Sequence, residues 1–289
     1  MTQRFHRRDA VAALLAAGLG PGLTGSARAQ ASASAAPPAD LFAPWQALLQ
    51  DHVQVRADGR ASRVDYAGLA RRRPELQAWL ARLSSVSPAS YAAWPSAQRL
   101  AFLINAYNGF TIDLVLSRYP DLASIKDLGG LLSSPWKKPF FPLLGQTRSL
   151  DELEHGLIRG PGGWQEPRVH MALVCASIGC PMLQPRAWVG DTLEAQLDDA
   201  LRRFLGDRRR NRPDPARQRL QVSRLFDWYH GDFERGQPGP EPLRAWFARW
   251  ADEVAGPDPA AVAAVRRGEW SISFLEYDWR LNDLRAGFE

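Results

Sequence analysis

Cysteine, lysine and methionine are scarce: the 289 residues include two Cys, three Lys and three Met. Two cysteines exclude a disulfide-dense secreted scaffold and leave too few thiolates for a four-cysteine zinc site. With lysine so rare, 33 of the 36 basic residues are arginine, a bias that base composition explains more readily than function. Beyond the first thirty residues, no apolar stretch approaches the roughly twenty residues of a membrane-spanning helix. No strand-to-helix turn carries the glycine set of a nucleotide-binding loop; the Asp-Leu-Gly-Gly of residues 127–130 stands alone. The absence of a short strict period excludes a collagen or coiled-coil fibre, and 45% hydrophobic residues exclude a disordered chain. What is present is a globular composition with 11 Trp, enough for a ring-rich interior.

Residues 1–29 read as an export signal. Arg4, Arg7 and Arg8 form a basic head, residues 10–23 an apolar run, and Ala27-Arg28-Ala29 a small-x-small cleavage site. The Arg7-Arg8 pair resembles the twin-arginine type, although Asp9 and Ala10 depart from that pattern. Cleavage after Ala29 removes four Arg and one Asp, so the formal charge falls from +5 to about +2. That leaves little basic excess for nucleic acid. The one arginine-rich run, residues 202–212, falls at a helix end, where cations favour the macrodipole. The expected location is periplasmic or secreted, with no transmembrane segment in the mature chain. Residues 30–40, small, polar and Pro-bearing, are expected to be a flexible linker, and residues 41–289 one domain.

Apolar residues at helical spacing predict helices over residues 41–53, 69–83 and 97–118, the last ended by Tyr119-Pro120. Ser149-Leu-Asp-Glu152 and Asp191-Thr-Leu-Glu194 read as capping boxes that open two further helices. Residues 168–174, RVHMALV, are β-capable and expected as a buried strand. A hairpin is expected around Gly145, with short strands at residues 64–66, 220–223 and 271–275 and helices at 224–229 and 243–250. This order predicts an α+β fold: a helix-rich single domain around a small β-sheet, with a papain-like or transglutaminase-like arrangement as the finer expectation.

Cys175 ends the expected strand, in VCASIGCP, and His155 lies on the capped helix before it. A thiol needs a nearby imidazole or similar partner to ionise at neutral pH, and a third polar group orients that imidazole. Asn105 and Asn108, on an otherwise apolar helix, suit the third role. Cys180, before Pro181, is the second-choice nucleophile, and His170 the competing base. The bland readings stand beside these: a cysteine in an apolar run is usually a small buried hydrophobe. A Cys175–Cys180 disulfide would close a small ring and stabilise little, and the spacing is not the C-x-x-C of redox pairs. His155, His170, Cys175 and Cys180 match no common zinc spacing, so neither a metal nor a cofactor is expected.

The segments LAFLINAYNGFTIDLVLSRYP, SLDELEHGLIRG, PRVHMALVCASIGCPML, VSRLFDWYHGDF and FLEYDWRLND, in that order within residues 60–285, resemble the DUF547 family. The family's Asn-Ala-Tyr-Asn, Glu-His-x-Ile-Leu-Arg and Ala-Leu-x-Cys patterns fall on residues 105–108, 154–159 and 172–175, with Leu157-Ile158 in place of Ile-Leu. The family's activity is not established, so the resemblance implies a fold unit more than a reaction. It implies His155 and Cys175 as the pair supplied by the motif, because plant members often have Ser at the Cys180 position and no His at the His170 position. Fusion of some plant relatives to a glutaredoxin-like module points to thiol chemistry by association only.

The resulting expectation is a cysteine hydrolase or acyl transferase acting on an amide or ester. Cys175 attacks the carbonyl, His155 carries the proton, and Asn105 orients the imidazole or donates to the oxyanion. Ser177, Asn108, Arg159 and Trp136 are expected to contact a small-molecule or peptide substrate, with Arg168 and Lys137 also suited to a carboxylate. The alternative is a non-catalytic periplasmic binding or scaffolding domain whose aromatic residues form a ligand groove.

Overall fold

A helix that is apolar all round has to lie inside the protein, and helix α5 does. It spans Ser96–Leu116, and every residue from 100 to 112 is buried. The computed structural model describes residues 36–130 and 134–288; the expected leader and the first part of the linker lie outside the described residues. Ala33–Glu289 is one compact unit.

Among the described residues, four helices precede α5: α1 (Ala43–His52), α2 (Tyr66–Arg71), α3 (Arg73–Ser84) and α4 (Pro88–Ala93). Trp45 of α1 stacks on Trp79 of α3 with centroids 4.9 Å apart, and Trp79 Nε1 donates to the Leu41 carbonyl at 2.9 Å. Gly109 lets α5 meet this pair, since a Cβ there would lie 2.4 Å from Trp79 Cζ3. The helix expected over residues 69–83 is two helices broken at Arg72. Pro74 lacks an N–H and disfavours helical space just before it, and the Asp65 side chain caps a separate first helix at Gly68 N.

The strands form three small sheets rather than one. Strands β1 (Val53–Val55) and β2 (Ser62–Val64) make one hairpin, and β3 (Phe141–Leu143) and β4 (Gln146–Arg148) make the hairpin expected around Gly145. Leu144 and Gly145 both take positive φ, as a two-residue hairpin turn with matching twist requires. Strand β6 (Arg219–Val222) lies between β5 (Arg212–Asp214), antiparallel, and β7 (Ser271–Phe274), parallel. The crossover from β6 to β7 carries α7 (Leu225–Trp228), α8 (His230–Glu234), α9 (Pro242–Ala248), α10 (Ala251–Ala255) and α11 (Pro259–Arg266), and α6 (Leu193–Leu205) precedes this sheet. The fold is α+β and helix-rich. No helix among the described residues is long and apolar enough to cross a membrane.

Residues 168–174 are not a strand. Pro167 opens a 3-10 turn, Pro167–Met171, and the Glu166 carboxylate accepts from Arg168 N at 3.0 Å. The backbone after that turn pairs with a side chain instead of a neighbouring strand: Asn108 Nδ2 donates to the Ala172 carbonyl at 2.9 Å, and Val174 N donates to Asn108 Oδ1 at 3.0 Å. The expected capping box at residues 191–194 does not form. Asp191 sits in a 3-10 turn and accepts from Gln98 Nε2 at 2.9 Å, leaving Thr192 as an N-cap without a side-chain bond. The box at Ser149 does form, with Ser149 N on Glu152 Oε2 at 2.7 Å and Glu152 N on Ser149 Oγ at 3.1 Å. The turns it opens, Glu152–Ile158, are π-helical rather than α-helical.

Asn108→Ala strips two buried backbone groups of their partner. Each such orphan costs about 1–3 kcal/mol, so the expected loss of stability in urea unfolding monitored by circular dichroism is roughly 2–6 kcal/mol. A loss below about 0.5 kcal/mol, less than one ordinary hydrogen bond, would show that the clamp is dispensable.

Candidate thiol site

The loop that carries both cysteines is held from two sides. Asn108 fixes residues 172–174 as described, and the segment after Cys175 pairs with the C-terminal stretch. Asn282 N donates to the Ala176 carbonyl at 3.1 Å, Ile178 N to Arg280 O at 2.9 Å, and Gly179 N to Asp278 O at 2.8 Å. Between the two anchors the chain turns sharply, and Ala176 takes φ +60. A left-handed residue with a Cβ costs about 1–2 kcal/mol, so the flanking bonds must hold it there. The turn brings the two sulfurs together: Cys175 N donates to Cys180 Sγ at 2.9 Å, and the sulfurs lie 3.0 Å apart as free thiols.

The Cys175 sulfur also lies 3.1 Å from the Ser177 hydroxyl and 3.1 Å from the Tyr277 hydroxyl, and the two hydroxyl oxygens are 3.0 Å apart. Donors aimed at sulfur favour the thiolate. The Cys180 thiol, then the Ser177 and Tyr277 hydroxyls, bring the Cys175 thiol down from 9.0 to about 7, against the opposing effect of burial. Cys180 moves the other way, pushed well up by burial and by the neighbouring sulfur. The Tyr277 phenol is raised as well, by burial and the two sulfurs.

Cys175 is half-buried and lines a cavity of about 230 Å³. The wall is aromatic. Trp228, Tyr277 and Trp279 pack on one another with centroids 4.6 to 5.6 Å apart, and Trp136 meets Trp279 edge-on at 6.0 Å. Trp228 is 43% exposed, unusual for a large ring, and it borders this opening.

Two histidines line the same cavity, and neither hydrogen-bonds Cys175. His155, on the π-helical turn, is 44% exposed at its side chain; Nδ1 pairs with Arg159 Nη1, and Nε2 lies 3.9 Å from both Asp151 and Glu154 carboxylates. His170 is buried, stacks on Tyr229 at 3.9 Å and places Nε2 2.8 Å from Asp232 Oδ2. Arg159 Nε donates to the same oxygen at 2.7 Å. The His170 bond and then the Arg159 pair hold the Asp232 carboxyl well below its usual range. Burial lowers the His170 imidazole, and Asp232 offsets this only in part.

Asn105 does not orient a histidine. Both ends of its amide are taken by the backbone of Trp188, with Nδ2 donating to the carbonyl at 2.8 Å and the N–H returning to Oδ1 at 3.0 Å. Asn108 is also buried with both ends of its amide engaged, so it shapes the loop instead of meeting substrate. Ser177 is buried against the sulfur. Arg159 is tied to Asp232 and lies 4.8 Å from the Tyr229 ring, and Arg168 is shared among Glu166, Glu194 and Asp198. Trp136 does line the cavity. Sequence reasoning missed Tyr277 as a partner of sulfur and Asp232 as the partner of His170. Both stand in the aromatic segments FLEYDWRLND and LFDWYHGDF, whose polar residues amid rings were the available signal. No group of three metal-ligating side chains occurs among the described residues.

A family model described as a protein of unknown function, DUF547, matches residues 91–205. This stretch includes α5, the Asn108 clamp, His155 and the whole cysteine loop, whereas Asp232 and Tyr277 lie outside it. Comparison with curated proteins and with solved structures returns no match.

Iodoacetamide labelling of Cys175, followed by mass spectrometry, is expected to rise through a midpoint near pH 7, the point at which the lowered thiol ionises. Cys180→Ala and Tyr277→Phe each remove a donor, so the midpoint moves upward in both. A wild-type midpoint near 9, the ordinary thiol value, would show that the donors do not stabilise the anion.

His170 predicts a stability effect of definite sign. Its folded value lies below the usual 6.5, so its contribution is fully present above 6.5 and is lost as pH falls below it. The urea midpoint is therefore expected to fall with pH in that window, with a shallower slope in His170→Gln. An identical slope in the variant would assign the effect to other groups.

Proposed function

With residues 91–205 identified as a DUF547 region of unstated activity, we propose that the chain is a thiol-dependent hydrolase or acyl transferase acting on an amide or ester. The observation that carries this reading is the Cys175 sulfur, lowered to about 7 by three side-chain donors at the edge of an aromatic cavity. The thiolate attacks the carbonyl carbon and forms a C–S bond as the carbonyl π-bond opens onto oxygen. The Ser177 and Tyr277 hydroxyls, already within 3.1 Å of the sulfur, are placed to donate to that oxyanion. The proton lost by the thiol passes to His155, on the exposed side of the same cavity, as its Nδ1 leaves Arg159, and the imidazolium returns a proton from Nε2 to the departing amine or alcohol. Water or an acceptor nucleophile then releases the acyl group and restores the thiol. The ring-lined wall favours a substrate with an apolar or aromatic portion.

This keeps the papain-like expectation as chemistry, a sulfur attacking a carbonyl. The export signal read in residues 1–29 makes the proposed setting periplasmic or secreted.

The short sulfur–sulfur distance favours a second reading, a redox-active dithiol. Cys175 and Cys180 would pass two electrons to a disulfide acceptor such as oxidised glutathione. The acceptor leaves as two thiols and an intramolecular disulfide remains. The asymmetric pair, one thiol lowered and one raised, suits an attacking and a resolving sulfur.

One set of measurements separates the readings. Under acyl transfer, a panel of p-nitrophenyl esters gives turnover and an acyl adduct on Cys175 in mass spectra. Cys175→Ser lowers turnover on the order of 100-fold or more, and His155→Ala lowers it on the order of 10-fold to 100-fold. Under the dithiol reading there is no adduct, and oxidised glutathione lowers the mass by about two daltons, reversed on reduction. A ring-lined ligand site that binds equally well in Cys175→Ala, with neither adduct nor mass loss, would replace both with the non-catalytic binding alternative.

A further inference from the structure

A second cavity, of about 420 Å³, lies on the other side of the cysteine loop, with Ile178, Gly179 and Tyr277 in its wall. Five arginines line it: Arg56, Arg63, Arg209, Arg210 and Arg280. They are not equally satisfied. Arg56 pairs with Asp58 at 2.6 Å and with Asp207 at 2.8 Å. Arg210 pairs with Asp207 and donates to the Ile178 carbonyl at 2.5 Å, while its buried Nε has no partner among the described residues.

Arg63 and Arg209 differ from these. Arg63 is only 4% exposed, yet among the described residues the one hydrogen bond of its side chain runs from Nε to the Gly287 carbonyl at 2.7 Å. No carboxylate among the described residues forms an ion pair with it. Arg209 is exposed, and its guanidinium likewise has no ion pair among the described residues. A buried cation without a counter-ion is costly. Here like charges aggravate the cost: burial first, then Arg210 and Arg209, pull the Arg63 guanidinium down from its usual value. Two acidic residues line the cavity: Asp278 is engaged by Arg280 at 2.7 Å, and Glu276, exposed, forms no ion pair among the described residues, so the five arginines outnumber the carboxylates of the lining.

We propose that Arg63, Arg209 and Arg210 form a binding site for a doubly charged phosphate group, held in this cavity. Guanidinium forks match the geometry of tetrahedral oxyanions and donate to two oxygens at once. A dianion matches the two guanidinium charges, of Arg63 and Arg209, that form no ion pair among the described residues. The Phe288 ring, 5.4 Å from the Arg63 guanidinium, supplies an apolar flank for the group that carries the phosphate. The site does not depend on the chemistry assigned to Cys175.

The test uses the full chain and inorganic phosphate as probe, at fixed ionic strength, with calorimetry for affinity and thermal unfolding as a second readout. Saturable binding is expected, with a rise in Tm that sodium chloride and acetate do not reproduce. Arg209→Gln, at an exposed position where folding is safe, is expected to weaken binding at least about 10-fold, a loss of one charge-assisted contact. Arg63→Gln, checked by circular dichroism for folding, is expected to do the same. Co-sedimentation with vesicles containing phosphatidic acid, against phosphatidylcholine alone, then separates a lipid headgroup from a phosphate free in solution. Absence of saturable binding to the folded wild type, or equal affinity in Arg209→Gln, overturns the proposal and leaves Arg63 as a structural tie to the C-terminal segment.

Discussion

One carboxamide determines where the Cys175 sulfur sits. Asn108 gives its donor to Ala172 and its acceptor to Val174, and so supplies the pairing that residues 172–174 lack from any strand. Because Asn108 belongs to a helix buried all round, its position is rigid, and the rigidity passes to the next residue, Cys175. Asn105, one turn earlier, makes the same kind of bond to Trp188. A single helix thus ties down the chain on both sides of the cysteine loop with two amides and no sheet. Buried polar groups of this kind are tolerable only when fully bonded, and both of these are.

The chemistry of the sulfur follows from its neighbours more than from its helix or strand. An imidazole partner leaves a thiolate–imidazolium pair, two charges that balance. Cys175 instead has neutral donors, a thiol and two hydroxyls, which stabilise the anion without adding a charge. The cavity therefore gains a net negative charge whenever Cys175 ionises, and a nearby cation or proton donor acts on it directly. His155 stands on the open side of that cavity, while His170 is held in the wall by Asp232 and Tyr229. The difference is geometric: the buried imidazole braces the wall, and the exposed one borders the opening with its Nδ1 on Arg159.

How much of this was legible in the sequence depends on how far each partner lies along the chain. The long apolar helix, the hairpin at Gly145, the strands near residues 220 and 271 and the Ser149 capping box are written in local patterns, and they appear. The run at residues 168–174 has strand-like composition, but its backbone partner is a side chain from a helix more than sixty residues earlier. The Asp191 cap was lost to Gln98 for the same reason, a tertiary contact outcompeting a local one. Tyr277 is 102 residues from the sulfur it touches, and no periodicity connects the two. Asn105 and Asn108 were conspicuous as polar residues on an apolar helix. Their pattern suggests an imidazole-orienting role for Asn105 and a substrate contact for Asn108, because a sequence does not show which backbone groups need partners.

The pairing of residues 176–179 with 278–282 has a consequence for the whole region. These two irregular segments form the partition between the aromatic cavity and the arginine-lined one, and Tyr277 borders both. Gly179 permits the close approach, since a Cβ there would lie 3.0 Å from Asp278 N. A side chain at that position would also meet the Tyr277 ring at 3.1 Å, so the backbone at residue 278 or that ring would have to give by a few tenths of an ångström. One strip of main chain therefore lines the arginine cavity with Ile178 and Gly179 and carries, in Tyr277, a hydroxyl that meets the sulfur.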